Sequence, residues 1–332
     1  MPDSTHIAPY FDEARHAWVL TTYADVSAAL RNPLLFLAGP RAEKPERPPD
    51  SAAHKAMREE TRDAVAAPHL EAWRSQLEPL AIKLIAGLNI EHAIDLVAQV
   101  ADPLCLAAAA LITEVAVEDA IHLRAQTAPI SHAAADPLHP ELRAASKAAQ
   151  AAIAGCFHAR AALLRDSGFV ALAHTMPRLL ANMWLALVEH PRQWSLLHQH
   201  PELTPLAVEE LLRHAGLTTT VFRRVAADTT INGLALREGD HIILRLLAAN
   251  HDPAHFDSPN EFDMQRRESG HLSLGAGPHS CVGAPLIRML AILATRPLVE
   301  RFASATLTQP VELQGGAGFR SPIALQVQLT AS

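Results

Sequence analysis

The segment HLSLGAGPHSCVGAPLIRM, residues 271–289, sets one cysteine, Cys281, on a loop that carries three glycines and two prolines. The glycines at 275, 277 and 283 permit close backbone approach and left-handed dihedral angles. A thiolate bound to a metal needs nearby backbone N–H donors and space around the sulfur. The loop offers both, and the apolar stretch APLIRMLAILA that follows predicts a buried helix. The pattern therefore favours a cysteine that ligates a metal ion.

A buried structural thiol and a zinc ligand are the alternatives for Cys281 that this loop alone leaves open. Free cysteine is among the most buried residue types, so a core position beside a glycine loop is also consistent with the pattern. A zinc site is poorly supported. Zinc sites pair their ligands at short spacing, and no CxxC or second ligand pair lies near this cysteine.

The composition is that of a globular protein with a large core. Of 332 residues, 49% are hydrophobic and 19% are charged, and the mean hydropathy is +0.07. A net charge of −7 argues against nucleic acid as a partner. Three unevenly spaced cysteines indicate a reducing compartment rather than a disulfide framework. The sequence shows neither a signal-peptide pattern nor a run of eighteen uncharged apolar residues, which predicts a cytoplasmic protein without a membrane span.

The hydrophobic periodicity predicts a mainly α protein with a small β region near each end. Residues 17–26 alternate like a strand, and residues 24–36 predict a short helix that stops before Pro33. Residues 52–213 are rich in alanine and leucine at helical spacing, whereas residues 219–248 alternate like hairpins. The polar stretch at 249–270 has no periodicity, and a coil of that length in a compact fold is typical of a functional segment.

The cysteine loop resembles the haem-binding loop of the cytochrome P-450 (haem-thiolate monooxygenase) family. In LGAGPHSCVGA, residues 274–284, the family's pattern is matched by Gly277, His279, Cys281 and Gly283. The resemblance implies that Cys281 ligates the iron of a b-type haem. Leu274 stands where the family has phenylalanine, which alters the packing below the sulfur but not the ligation.

A second resemblance lies in the helix AVEELLRH, residues 207–214, and in the coil that precedes the cysteine. Glu210 and Arg213 match the family's Glu-x-x-Arg pair, and Arg266 stands at the third position of the same ion network. On its own, a Glu and Arg three residues apart is a common surface pair. In the family the network is structural and braces the coil that leads to the cysteine.

The third resemblance concerns the positively charged side chains that bind the two haem propionates in the family. HKAMR, residues 54–58, supplies His54 and Arg58, as in the family's His-x-x-x-Arg helix. FRRVAADTTINGLAL, residues 222–236, resembles the strand that carries a propionate-binding arginine, with Arg223 better aligned than Arg224. Carboxylates that enter a protein interior need cationic partners, and His279 completes the set.

The central helix, SGFVALAHTMPRLLANMWLALVEHP at 167–191, departs from the family. Thr175 matches the family's alcohol that hydrogen-bonds dioxygen. His174 replaces the neighbouring carboxylate, and Leu172 replaces a glycine that makes room for dioxygen. We expect Thr175 and His174 to handle protons. Pro177 lacks an N–H and is expected to disrupt the helical hydrogen bonds before it.

The resemblance implies a single cytochrome P-450 domain over residues 1–332, shortened at the N-terminus and in the lid over the substrate pocket. It implies a monooxygenase that acts on a small organic substrate and receives electrons from a ferredoxin-type donor and its reductase. The altered central helix leaves a dioxygen-independent enzyme open, such as a peroxygenase, dehydratase or isomerase. A non-catalytic auxiliary partner of another enzyme is the remaining alternative. Residues 216–220 and the helix face around Ala171 are expected to line the substrate pocket.

Overall fold

A computed structural model of the chain shows a mainly helical protein with small sheets, as the periodicity predicts. The structure describes residues 8–37, 52–157, 167–268 and 270–331, and the side chain of His54 lies outside the described part. The helices are α1 (Tyr23–Arg31), α2 (Ala52–Ala64), α3 (Ala67–Ala86), α4 (Asp102–Thr113), α5 (Val117–Ala135), α6 (Pro140–Ala152), α7 (Met176–Glu189), α8 (Pro191–Gln199), α9 (Thr204–Ala215), α10 (Leu246–Asn250) and α11 (Ala284–Arg301). One π-helical turn precedes α4, at Val97–Ala101, and another precedes α7, at Ala171–Thr175.

The main sheet joins strands near the N-terminus to strands between residues 221 and 244. The strands are β1 (Tyr10–Asp12), β2 (Ala17–Leu20), β3 (Leu35–Leu37), β4 (Ile94–Asp95), β5 (Val221–Val225), β6 (Thr229–Ile231), β7 (Leu234–Leu236), β8 (His241–Leu244), β9 (Phe302–Leu307), β10 (Leu313–Gly315), β11 (Arg320–Pro322) and β12 (Gln326–Ala331). The order β1-β2-β8-β5-β3 makes one five-stranded sheet, and β4-β12-β9 makes a second sheet of three strands. Strands β6 and β7 form a hairpin, as do β10 and β11.

Helix α1 shows how local sequence sets the element bounds. The Thr22 side chain accepts a hydrogen bond from the N–H of Asp25, which caps the first turn. The helix ends at Arg31 because Asn32, the residue before Pro33, is extended. Leu30 and Ala29 face the core, so the end of α1 is fixed where the cysteine loop later packs against it.

The core surrounds α7 and α11, both of which are largely buried. Two tryptophans with buried rings place their N–H groups on acceptors of neighbouring elements. Trp184 donates to the Thr295 hydroxyl at 3.1 Å, and Trp194 donates to the carbonyl of Phe302 at 2.9 Å. Because α11 begins directly after the cysteine loop, this packing also fixes where Cys281 lies.

The predicted ion network is present between α9 and the polar coil. Arg213 donates two hydrogen bonds to Glu210, at 2.7 and 2.8 Å, and Arg266 donates to the same carboxylate at 3.2 Å. Both arginines also donate to the Glu261 carbonyl, at 3.0 and 3.1 Å. The network thus holds the coil through its backbone, which is the bracing role that the resemblance implies.

None of the described helices is by itself long and apolar enough to cross a membrane. Residues 97–113 and 117–135 reach that length and composition only as a pair, and the pair is bent by 105°. Leu104 and Leu123, one from each member of this pair, lie in the main hydrophobic core, so both helices pack inside the protein.

Candidate active site

The loop before Cys281 has the left-handed backbone that its glycines predict at two positions. Gly275 has φ of +71° and Gly277 has φ of +68°. A Cβ atom on Gly277 would lie 2.6 Å from the Leu30 carbonyl oxygen and 2.7 Å from the Cα of Arg31. Glycine is therefore required at 277 both by its dihedral angle and by the end of α1.

We expect Gly277→Ala to destabilise the protein more than Gly233→Ala. Both glycines have positive φ, but a Cβ on Gly233 meets nothing within 4 Å. Gly233→Ala should therefore cost only the dihedral strain, about 1–2 kcal/mol. Gly277→Ala should cost more, since it adds the clash with α1. Urea unfolding of both variants measures the difference. Equal free energies of unfolding would show that the close approach of residue 277 to α1 does not affect the stability of the protein.

Cys281 lies between this loop and α11 and is held by backbone hydrogen bonds. Its N–H donates to the Leu274 carbonyl at 2.7 Å, and the N–H of Gly283 donates to its sulfur. Burial raises the pKa of the Cys281 thiol, while the Gly283 N–H and the charges of Arg58 and Arg288 act in the opposite direction. Backbone donors thus reach the sulfur, as a thiolate ligand requires.

The expectation of a left-handed dihedral angle at Gly283 is wrong. Its φ is −81°, which any residue can adopt. A Cβ at this position would lie 3.8 Å from the Cys281 sulfur, an ordinary contact distance. Glycine at 283 therefore leaves space beside the sulfur but does not relieve backbone strain.

Cys281 faces a cavity of about 450 Å³ between α7, β5, α2 and the cysteine loop. Cys281 is exposed and lines this cavity. The predicted residues that line the cavity are Arg58, Ala171, Leu172, Thr175, Leu217, Thr218, Arg223, Gly275, His279, Cys281 and Gly283. The described lining includes no aspartate or glutamate, so its fixed charge is positive.

The two arginines in the cavity fit a dianionic group. Arg223 is only 4% exposed and donates to the Phe222 carbonyl at 2.9 Å, and no carboxylate of the described residues contacts it. Burial lowers the pKa of Arg223 to about 10. Arg58 donates to the Ser280 hydroxyl at 3.2 Å. A buried cation without an acidic partner is unfavourable, so this site fits haem, whose propionates supply the missing charges.

The π-helical turn before α7 forms the opposite wall of the cavity. The N–H of Met176 donates to the Ala171 carbonyl, five residues back. The next residue, Pro177, has no N–H to continue this pattern. The predicted disruption is therefore present, and Thr175 and Leu172 line the cavity beside it.

His174 does not line the cavity, although its neighbour Thr175 does. Its Nε2 lies 2.9 Å from the Thr127 hydroxyl on α5. The hydroxyl of Thr127 also donates to the Leu123 carbonyl at 2.7 Å. Burial, followed by the positive charges of Arg124 and Arg178, lowers the pKa of His174 to about 4. Adjacent helical residues point about 100° apart, so His174 faces α5 while Thr175 faces the cavity.

A second half-buried histidine, His214, lies beside the ion network. Its ring centroid is 5.5 Å from that of His190 and 5.3 Å from that of His251. Burial, then the charges of His251 and Arg213, lowers the pKa of His214 to about 3. The folded protein therefore holds both His174 and His214 neutral.

We expect the free energy of unfolding to fall as the pH falls below about 6.5. The pKa of each of these histidines is lower in the folded protein than in the unfolded chain, so the unfolded chain binds protons first. At pH 5 each histidine should cost up to about 2 kcal/mol relative to pH 7.5. Urea unfolding at both values measures the loss. His174→Asn and His214→Asn should each flatten the dependence, and an unchanged slope would contradict the assignment.

Sequence reasoning missed two contributors to the site, and two of the threonines that it predicted do not line it. Thr127 carried no motif and is found only because α5 packs against the π-helical turn. Ser280 stands inside the cysteine loop, where its contact with Arg58 is a long-range one. Thr219 and Thr220, predicted to line the pocket, do not: Thr219 donates to the carbonyls of Ala317 and Gly318, at 3.3 and 3.2 Å.

Comparison with known proteins places the chain beside bacterial haem-thiolate enzymes. The family model for cytochrome P-450 matches residues 189–321. Beta-dihydromenaquinone-9 omega-hydroxylase of Mycobacterium tuberculosis is 28% identical over 96% of this chain and 73% of that protein. The 20-oxo-5-O-mycaminosyltylactone 23-monooxygenase of Streptomyces fradiae is 36% identical over 50% of this chain and 40% of its own length.

The fold comparison extends over almost the whole chain. P450BioI, solved in complex with a hexadec-9Z-enoic acid-ligated acyl carrier protein, superposes with a TM-score of 0.85. The match covers 94% of this chain and 92% of that one at 24% identity, so it bears on the fold alone.

Proposed function

Since this chain belongs to the cytochrome P-450 family, we propose that it is a monooxygenase that inserts one oxygen atom into a small, apolar organic substrate. Its relatives include a hydroxylase and a monooxygenase, which makes it an oxidoreductase of that kind. The observation that carries the proposal is the Cys281 thiol on one side of a cavity that Thr175 lines on the other.

A b-type haem is the proposed cofactor, held through the sulfur of Cys281. Arg58, Arg223 and His279 line the same cavity and would bind its propionates, together with His54. Haem bound through a thiolate supplies the activation of dioxygen. Gly277 and Gly283 would leave room for it, the first by its backbone and the second by its lack of a side chain.

The chain's own residues would position the substrate and move protons. The side chains of Leu172, Leu179 and Leu217 line the cavity and would exclude water from it. Thr175 has a hydroxyl there that can donate and accept a proton. His174 acts behind it as a positioning residue, because its contact with Thr127 ties the π-helical turn to α5.

The electrons would come from a ferredoxin-type protein and its reductase, and residues 1–332 would act as one haem domain. We place the reaction in the cytoplasm, where a reducing environment keeps the thiols of Cys105, Cys156 and Cys281 free. A role in secondary metabolism is supported by the relative that modifies 20-oxo-5-O-mycaminosyltylactone.

Labelled oxygen tests the proposed reaction. With ferredoxin, its reductase, NAD(P)H and ¹⁸O₂, a panel of apolar compounds should yield a product that carries one ¹⁸O atom. Thr175→Val should lower the rate of product formation by about 100-fold or more, with haem content unchanged. Thr113→Val, which removes a buried hydroxyl of α4 outside the cavity lining, is the matched control and should keep the rate.

A dioxygen-independent haem-thiolate enzyme is the second candidate. The observation that favours it is His174, which stands where the family has a carboxylate and faces away from the cavity. If only added peroxide supports product formation, or if Thr175→Val keeps the full rate with dioxygen, this candidate replaces the first. A protein that stays colourless after haem supplementation would instead favour an auxiliary, non-catalytic role.

A further inference from the structure

The buried side chain of Asn250, the last residue of α10, holds the segment that leads into the cysteine loop. Asn250 is 0% exposed. Its Oδ1 accepts a hydrogen bond from the N–H of Leu272 at 2.7 Å, and its Nδ2 donates to the hydroxyl of Ser273, also at 2.7 Å. One carboxamide therefore fixes two successive residues, through an acceptor and a donor that are both shielded from water.

Ser273 extends this contact to α9. Its hydroxyl accepts from Asn250 and donates to the Leu212 carbonyl, so it joins the two residues directly. A Cβ atom at position 216 would overlap the hydroxyl of Ser273, and glycine there leaves the space in which Ser273 meets α9. Because Ser273 and Leu212 also line the cavity, this contact is part of the wall of the proposed site.

Backbone hydrogen bonds connect this segment to Cys281. The carbonyl of Leu272 accepts from the N–H of Gly275 at 2.8 Å, which closes the turn at the start of the loop. The carbonyl of Leu274, the residue after Ser273, accepts from the N–H of Cys281 at 2.7 Å. A shift of the segment that Asn250 holds would therefore move the carbonyl that holds Cys281.

The backbone of Asn250 belongs to the ion network of α9. Nη1 of Arg213 donates to the Asn250 carbonyl at 2.8 Å, and the same guanidinium is paired with Glu210. Asn250 thus connects the network to the cysteine loop, with its backbone on one side and its side chain on the other. A change of the side chain alone separates the hold on the loop from the bracing of the polar coil.

We propose that Asn250 is a positioning residue for Cys281: its carboxamide holds the start of the cysteine loop, so that the sulfur keeps one position towards the haem iron. The inference rests on the proposed function, because it takes Cys281 as the ligand of haem. Without the carboxamide, the N–H of Leu272 loses this acceptor and Ser273 loses a donor. Buried groups that lose their partners favour a rearranged segment, and the loop moves with it.

Spectra of the haem-loaded, reduced and carbon monoxide-saturated protein test the inference. The measured quantity is the ratio of haem that absorbs at the long wavelength of thiolate ligation to haem that has lost the thiolate. Asn250→Ala should lower this ratio about tenfold, since two buried hydrogen bonds are lost. Ser273→Ala, which leaves the bond to the Leu272 N–H, should lower it about threefold. The double variant should fall about tenfold rather than about thirtyfold, because both changes remove one contact.

The matched control is another carboxamide that joins distant segments. Nε2 of Gln328 on β12 donates to the Ile90 carbonyl at 2.7 Å, far along the chain from the cysteine loop. Gln328→Ala should lower the free energy of unfolding in urea, as Asn250→Ala does, but should keep the wild-type ratio of the two haem forms. A merely structural role of Asn250 would move the unfolding curve without moving this ratio.

Three results would overturn the inference: a wild-type ratio in Asn250→Ala, an equal fall of the ratio in Gln328→Ala, or a thirtyfold fall in the double variant. If Asn250→Ala does not fold, Ser273→Ala decides, and a wild-type ratio in that variant counts against the inference. Failure of the proposed function is recognised separately. In that case the wild type itself lacks the long-wavelength band, and both proposals fall together.

Discussion

Cys281→Ala abolishes the long-wavelength absorption band of the reduced, carbon monoxide-saturated protein, which is the first result that we expect. The band is diagnostic of haem that a thiolate ligates, and Cys281 is the one cysteine that lines the cavity among the described residues. Alanine leaves the loop intact, because the hydrogen bond from residue 281 to the Leu274 carbonyl is made by the backbone. The loss should therefore be complete while the fold is kept.

The control for this experiment is another cysteine. Cys156 is partly exposed and lies outside the lining of the cavity, so Cys156→Ala should keep the full band. Circular dichroism of both variants should match that of the wild type. A band that survives in Cys281→Ala, or disappears equally in Cys156→Ala, would rule out Cys281 as the ligand.

Glu210→Ala is the second change with a large expected effect. It leaves the guanidinium groups of Arg213 and Arg266, whose side chains are 2% and 6% exposed, without the carboxylate that both contact. Uncompensated buried charge of this kind costs about 3–5 kcal/mol. Urea unfolding should show the loss, and haem retention should fall because the coil that leads to Cys281 is no longer braced.

The neighbouring glutamate provides the comparison for Glu210. Glu209 contacts Arg288 and His271 but is about half exposed, so Glu209→Ala should cost about 1 kcal/mol or less. Glu210→Gln should fall between the two alanine variants, since it keeps an acceptor but removes the charge. Equal stabilities for the two alanine variants would show that the network does not brace the fold.

The sequence predicted the parts of the site that local backbone chemistry decides. Gly277 is an example, since a left-handed turn against α1 admits no side chain. Glu210 and Arg213 are another, because residues three apart on a helix share a face. Arg223 was preferred over Arg224 as the arginine that binds a propionate, and it lines the cavity. Because side chains alternate along a strand, its neighbour Arg224 faces the other side of β5.

The features that were missed depend on contacts between distant segments. The direction of His174 follows from the packing of the π-helical turn on α5, and the extra residue in that turn rotates all later side chains relative to a regular helix. The conformation of Gly283 was also misjudged, because a glycine in a motif does not reveal whether it serves the dihedral angle or the space beside it. The link from Asn250 to Leu272 and Ser273 joins positions 22 and 23 residues apart, so no local pattern indicates it.

The order of strands in the main sheet has a consequence for how the chain folds during its synthesis. Strand β2 pairs in parallel with β8, which lies more than 200 residues later, and the N–H of Tyr23 donates to Asp252 at 2.7 Å. A ribosome adds about 5–20 residues per second, so β2 waits for at least several seconds before its partner emerges. Pairing over such a separation closes a long loop and is slow, whereas the helices between residues 52 and 213 form from local contacts. The helical part should therefore be compact first, and the sheet that carries Arg223 should be completed late.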